Sequence, residues 1–248
     1  MKELLLFFTK KYKGNWVDIY KAISNKEKLN EEEYQEAINL FEHTKNYISI
    51  IDDNYPICFS NLDKPPFVLF YKGNIELLNA KNKIYLTSNF KNDIYKNTLE
   101  KIDILKVKHD CVFVSFAWKG EELEICEKLI KNNRKLILVL PCGIKAAKDL
   151  FPEFIFNENV LLLSEYWDDY HPTKLAFYAR NRLLTALANK MIIISSKEKT
   201  LFRIVDEFLA YGKDIYCFQP SINEINNTNK DLINYGATMI TNLNEVIN

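Results

Sequence analysis

A chain of 248 residues is long enough for one large domain, or for a medium domain with a small appendage. Hydrophobic residues make up 48% and aromatics 13%, which excludes a disordered or low-complexity protein. The 33 basic residues balance 33 acidic ones, so no overall field draws the chain to nucleic acid or membrane, and any anion site must be a local patch.

The first 45 residues read as a small helical domain. "KELLLFFTKKY" and "EEEYQEAINLFEH" carry apolar residues at three- and four-residue spacings, and Asn30 before three glutamates is a cap with an acidic first turn. "LLLFF" is short for a signal-peptide core and lacks a cleavage site, while "LILVL" and "MIII" are far short of a membrane span. A cytoplasmic location follows, with no membrane partner. Residues 46–82 form a connector of short extended pieces broken by Pro56, Pro65 and Pro66. From residue 83 to 248 the pattern alternates. Strand candidates are "KIYLTS", "CVFVSFA", "KLILVLP", "VLLLSEY", "MIIISS", "DIYCFQ" and "ATMIT"; helices such as "GEELEICEKLIKNN" and "KTLFRIVDEFLAYG" lie between most of them. The fold class predicted is α/β: a Rossmann-like, mostly parallel sheet of about seven strands with helices on both faces, after the small helical domain.

Visible chemistry is sparse. None of the six glycines are spaced as G-x-G-x-x-G or a Walker A loop, where backbone amides must approach phosphate without a Cβ in the way. Dinucleotide dehydrogenases and P-loop ATPases are thereby disfavoured. The five scattered cysteines read as buried free thiols rather than as metal ligands or disulfides. His109-Asp110 reads as a solvated strand start rather than a metal pair. Pro141-Cys142-Gly143 reads as a thiol before a turn rather than a nucleophile, and Glu121-Glu122 as a helix opening rather than an acid–base pair. No catalytic residue, metal or cofactor is predicted, and the chain is read as a non-enzyme.

The most specific stretch is "SEYWDDYHPTKLAFYARNRLL", where a strand gives way to a helix, the ligand edge of open α/β sheets. A helix starting near Phe177 would set Arg180, Asn181 and Arg182 in its first turns, beside free N–H groups and the positive dipole end. The two arginines stand about 200° apart on a helix. One is expected to bind phosphate and the other to brace Glu165 or a strand end; the opposing reading gives both to an internal network. Phe177, Tyr178 and Tyr166 are stacking surfaces for unpaired bases or else core.

Several segments, in order, resemble the DNA-processing protein A (DprA/Smf) family. "NYPICFSNLDKPPFVLFYKGN" is similar to its opening segment, and "VSFAWKG", with Ser115, Lys119 and Gly120, to its S-G-x-x-[KR]-G loop. "LVLPCGI", the S-E-Y … P … R-N-R signature, "YGKDIYCFQP" and "NKDLINYGA" extend the match. Leu86-Thr87-Ser88-Asn89 departs from the family's V-G-S-R turn, and "SSKEKTLF" from its S-G-S-L-x-T loop; the winged-helix domain of some members is not expected. The resemblance implies single-stranded DNA binding and loading of a RecA-type recombinase in natural transformation. It also implies a homodimer, for which "FRIVDEFLAY" and "DIYCFQ" could supply the surface. The expected DNA-binding set is Arg180, Asn181, Arg182, Lys119, Ser115, Gly120, Phe177, Lys197 and Lys199, with Glu165 in support. Two alternatives are a nucleotide-cleaving Rossmann enzyme, whose P-G-G-x-G-T-x-x-E loop is missing, and a scaffold that has lost DNA binding.

Overall fold

The computed structural model describes residues 1–108, 110–148, 154, 157–197, 201–221, 224 and 226–247. Its helices are α1 (Lys2–Lys11), α2 (Trp16–Ser24), α3 (Glu31–His43), α4 (Ile57–Ser60), α5 (Asp93–Lys101), α6 (Glu121–Lys131), α7 (Lys174–Leu187), α8 (Phe202–Ala210), α9 (Asn229–Asn234) and α10 (Asn244–Ile247). Its strands are β1 (Tyr47–Ser49), β2 (Val68–Gly73), β3 (Asn82–Thr87), β4 (Cys111–Ser115), β5 (Leu136–Val139), β6 (Val160–Ser164), β7 (Lys190–Ile193), β8 (Asp214–Phe218) and β9 (Thr238–Ile240). All seven strand candidates after residue 82 are therefore strands. The chain divides into two units, Met1–Ile75 with Leu140–Arg180 and Glu76–Val139 with Asn181–Asn248. Among the described residues no helix is long and apolar enough to cross a membrane.

The first unit begins with helices that bury one face each. Phe7 and Phe8 of α1 meet Ile19 and Ala22 of α2 and Ala37 of α3, with Phe67 packed alongside. Asn30 and Glu33 form the capping box that the sequence announces: the Asn30 side chain accepts from Glu33 N–H at 2.9 Å, and Glu33 accepts from Asn30 N–H at 3.1 Å. Lys11 Nζ ties α1 to the α2–α3 connector and to α3 from outside, 2.8 Å from Glu27 and 2.7 Å from Glu33. The proline-punctuated connector holds two true strands. β1 runs antiparallel to β2 (Tyr47 opposite Phe70), and β2 antiparallel to β6 (Phe70 opposite Ser164).

In the second unit the strand order is β5-β4-β3-β7-β8-β9, every pairing parallel. Every residue of β4 and β5 is buried, as are Met191–Ile193 of β7, which requires cover on both faces and explains their unbroken apolar runs. Chain order reverses between β3 and β7, as in doubly wound sheets. The crevice outside the carboxyl ends of those two strands is where such folds take ligands.

Candidate nucleic-acid interface

At this switch point the chain leaving β3 meets the chain leaving β7. Ser88 Oγ donates to the Ser195 carbonyl at 2.8 Å, and Asn89 N–H donates to the same oxygen at 3.1 Å. The Asn89 carboxamide then closes a reciprocal pair: its Oδ1 accepts from Lys197 N–H at 2.9 Å and its Nδ2 donates to the Lys197 carbonyl at 3.3 Å. Asn89, which replaces an arginine in the resembled motif, thus fixes the backbone from which Lys197 projects. The Lys197 side chain is exposed, its ammonium 5.8 Å from the Phe90 ring centroid. Behind it, fully buried Asn229 accepts from Ser196 Oγ at 2.6 Å and donates to the carbonyls of Ile194 and Phe218 at 3.1 and 3.0 Å. This holds the ends of β7 and β8 in register. A cavity of about 830 Å³ opens beside Lys197, with Gln219, Glu224, Asn227 and Lys230 in its wall.

The loop after β4 is built from a buried acid. Glu122 in the first turn of α6 is 6% exposed; its Oε1 accepts from Ser115 Oγ at 2.6 Å and from Phe116 N–H at 2.8 Å. Ser115 Oγ in turn accepts from Ala117 N–H at 2.9 Å. Ser115 is therefore a brace below the loop, 2% exposed, and not part of its outer face. Glu121 does open the helix, as the sequence suggests. Gly120 takes φ +103°, a conformation that an L side chain would strain, and so turns the chain into α6. Lys119 and Trp118 stand out from the loop, Trp118 at 53% exposure.

The Arg-Asn-Arg motif sits differently from its expected place. α7 starts at Lys174, not near Phe177: Thr173 Oγ1 accepts from Ala176 N–H at 3.2 Å, and the Thr173 carbonyl from Phe177 N–H at 3.0 Å. Arg180 consequently lies about 9 Å along the axis from the first residue of the helix and outside its first turn, beyond the reach of the dipole end. It is 3% exposed, with its guanidinium 4.8 Å from the centre of the Phe177 ring. Asn181 hydrogen-bonds Glu207 of α8, and the half-buried Arg182 lies within electrostatic reach of the same carboxylate. Burial, the largest influence, holds the Glu207 carboxyl above its ordinary range against these neighbours. Arg182 is the ninth of the fourteen residues of α7, two turns past its start. Glu165 is buried at 5%, and Tyr166 is buried and stacked on Tyr170 with centroids 4.4 Å apart. Tyr178 is 43% exposed. Lys199 and His109 fall outside the described residues.

The structure thus brings Lys119 and Lys197 to one edge of the second unit and turns Ser115 and Arg180 inward. Sequence reasoning missed Asn89, Asn227 and Asn229. Their signal was their position, just after a strand end or around the start of a short helix at the edge where such folds take ligands. Cys111, Cys126, Cys142 and Cys217 are buried free thiols and Cys58 is half-buried; burial pushes the Cys111 and Cys142 thiols up to about 11. Among the described residues no cluster of three or more metal-ligating side chains occurs.

Residues 46–248 match the family model of DNA recombination-mediator protein A. The chain is 31% identical over 206 residues to DNA processing protein DprA of Streptococcus pneumoniae, covering 80% of this chain and 72% of that one. It is 24% identical over 241 residues to protein Smf of Synechocystis, covering 92% of this chain but 59% of that protein. The structure of pneumococcal DNA processing protein A superposes with a TM-score of 0.70 at 25% identity, over 99% of this chain and 95% of the other. DNA processing protein A from Helicobacter pylori, characterised for its single-stranded DNA binding mode, gives 0.66 at 26% identity, over 83% of this chain and 95% of that one.

Proposed function

Because the chain belongs to the DNA recombination-mediator protein A family, we propose that it binds single-stranded DNA at the carboxyl edge of the second unit, without chemical turnover of the strand. The observation that carries this reading is the exposure of Lys119 and Lys197 on the loops after β4 and β7. Those strands flank β3 on either side, so their ends stand about 10 Å apart. Two ammonium groups on bonded, pre-shaped loops suit phosphates of one strand, and contacts of this kind carry no base preference. The exposed Trp118 ring beside Lys119 offers a face for an unpaired base. Ser115 and Gly120 shape the first loop; Arg180, Asn181 and Arg182, with Phe177 and Glu165, hold the frame.

The finer reading extends to handing the strand to a RecA-type recombinase, and to a homodimer joined through the C-terminal part of the chain. In support of the dimer, Leu209, Tyr211, Tyr235 and Met239 of the second unit are exposed, although Ile204, Val205 and Phe208 of α8 belong to the core. Titration of fluorescent single-stranded DNA, duplex DNA and free nucleotides, each at two salt concentrations, tests the main reading. Tight, salt-sensitive binding of single strands over duplex is expected. Binding confined to free nucleotides, or nucleotide turnover, would refute it.

A further inference from the structure

The second unit holds another cavity, of about 430 Å³, between α5 with the 3₁₀ turn Ile102–Ile104 on one side and the ends of β8 and β9 on the other. That volume is within the range of small-ligand sites. Leu105, Phe218, Ile240 and Leu243, each no more than 5% exposed, supply its apolar surface, and Ile94 and the 78% exposed Ile104 extend it outward.

Two polar groups in this wall are not accounted for by the packing of the fold. Thr98 is 5% exposed, yet its hydroxyl has no hydrogen-bond partner among the described residues. A threonine inside a helix can settle that hydroxyl on the carbonyl four residues back, as Thr9 does on Leu5 at 2.7 Å. Lys101 follows three residues later, so it stands beside Thr98 on the same helix face. Among the described residues Lys101 has no ion-pair partner and is the one charged side chain in the wall. The carboxylates on the same segments are engaged elsewhere. Asp103 accepts from Lys128 at 2.8 Å and from Asn132 at 2.7 Å, and Glu245 accepts from the Thr241 hydroxyl and the Asn242 amide, each at 2.6 Å.

Both walls are fixed in place. Gln219 N–H donates to the Ile240 carbonyl at 3.0 Å, which carries the β8–β9 pairing up to the cavity. On the other side, Arg134 Nη2 donates to the Leu105 carbonyl at 2.6 Å.

We propose that this cavity binds a small molecule with an apolar body and one carboxylate. The body lies against Leu105, Phe218, Ile240 and Leu243, and the carboxylate accepts from the Thr98 hydroxyl and the Lys101 ammonium. A cationic ligand would meet Lys101 with no counter-charge in the wall, and a purely apolar one would leave the Thr98 hydroxyl unsatisfied. The site uses neither Lys119 nor Lys197, so it stands or falls separately from the reading of the carboxyl edge.

Octanoate, 1-octanol and octylamine share a tail and differ in head group, so titrating intact protein with each tests both halves of the proposal. The readout is the isoleucine methyl resonances, assigned through Ile94→Val, Ile104→Val and Ile240→Val. Octanoate should shift these methyls together, at lower concentration than octanol, with octylamine weakest. Lys101→Met, at an exposed position, should weaken the octanoate response on the order of tenfold and leave that of octanol unchanged. Thr98→Val keeps the shape and removes a hydroxyl without a partner, so the melt should hold while octanoate binds about three- to tenfold more weakly. Octanoate that leaves these methyls unmoved, octylamine that binds as well as octanoate, or Lys101→Met and Thr98→Val proteins that respond like wild type would overturn the proposal.

Discussion

At the scale of single residues, Glu122 separates binding from bracing. Its carboxylate satisfies the Ser115 hydroxyl and the Phe116 amide in a buried loop, with Tyr85 and Thr87 hydroxyls at 3.3 and 3.4 Å. Truncation strands those donors without water. Glu122→Ala is therefore predicted to lower stability by about 2–4 kcal/mol and Glu122→Gln by less, read from denaturant melts. Equal melts for wild type and Glu122→Ala would show that the loop does not depend on this acid. Ser115 was legible as a functional position because its spacing to Lys119 and Gly120 fits a known loop. Its inward orientation was not, since a hydroxyl of the same spacing serves a ligand or a brace, and only the buried Glu122 beside it decides.

At the scale of elements, α7 is held at its far end by Lys213, whose ammonium donates to the Thr185, Ala186 and Ala188 carbonyls, the last two at 3.0 and 2.6 Å. These acceptors have no partner within a helix that ends at Leu187, and a cation there also meets the negative dipole end. Lys213→Met should cost about 1–3 kcal/mol; an unchanged melting temperature would contradict the cap. In the N-terminal helices, hydrogen bonds from Lys11 hold the Glu27 and Glu33 carboxyls below their ordinary range. Folded-state values below the unfolded ones mean stability that is present above the normal carboxylate range and lost as pH falls through the depressed values. Melts at pH 7 and at roughly pH 3.5 should therefore differ more for wild type than for Lys11→Met; equal differences would remove the network from the account. Strand positions after residue 82 were legible because β4, β5, β6 and β7 are nearly continuous apolar runs. The start of α7 was readable in principle from Thr173 after Pro172, a cap signal that competes in the sequence with the aromatic and arginine run behind it. The antiparallel placement of β6 against β2 was not readable, because pairing partners leave no trace in a buried apolar run.

At the scale of the whole molecule, the balance of charge means that the DNA binding proposed here must rest on local geometry, with the parallel sheet acting as the mount. The reversal between β3 and β7 creates the crevice, Asn89 and Asn229 set its floor, and Lys119 and Lys197 rise from its two sides. The replacement of an arginine by Asn89 reads in sequence as a loss. In the fold it becomes a backbone clasp, and the positive charge at that edge comes instead from neighbouring loops. The most direct test is fluorescence anisotropy of a labelled single strand with wild type and Lys119→Ala/Lys197→Ala protein over a series of salt concentrations. The double variant should fold normally, bind several-fold to a hundredfold more weakly, and show a salt slope shallower by about one to two units. A folded double variant with wild-type affinity and an unchanged salt slope would place the strand elsewhere and contradict the account.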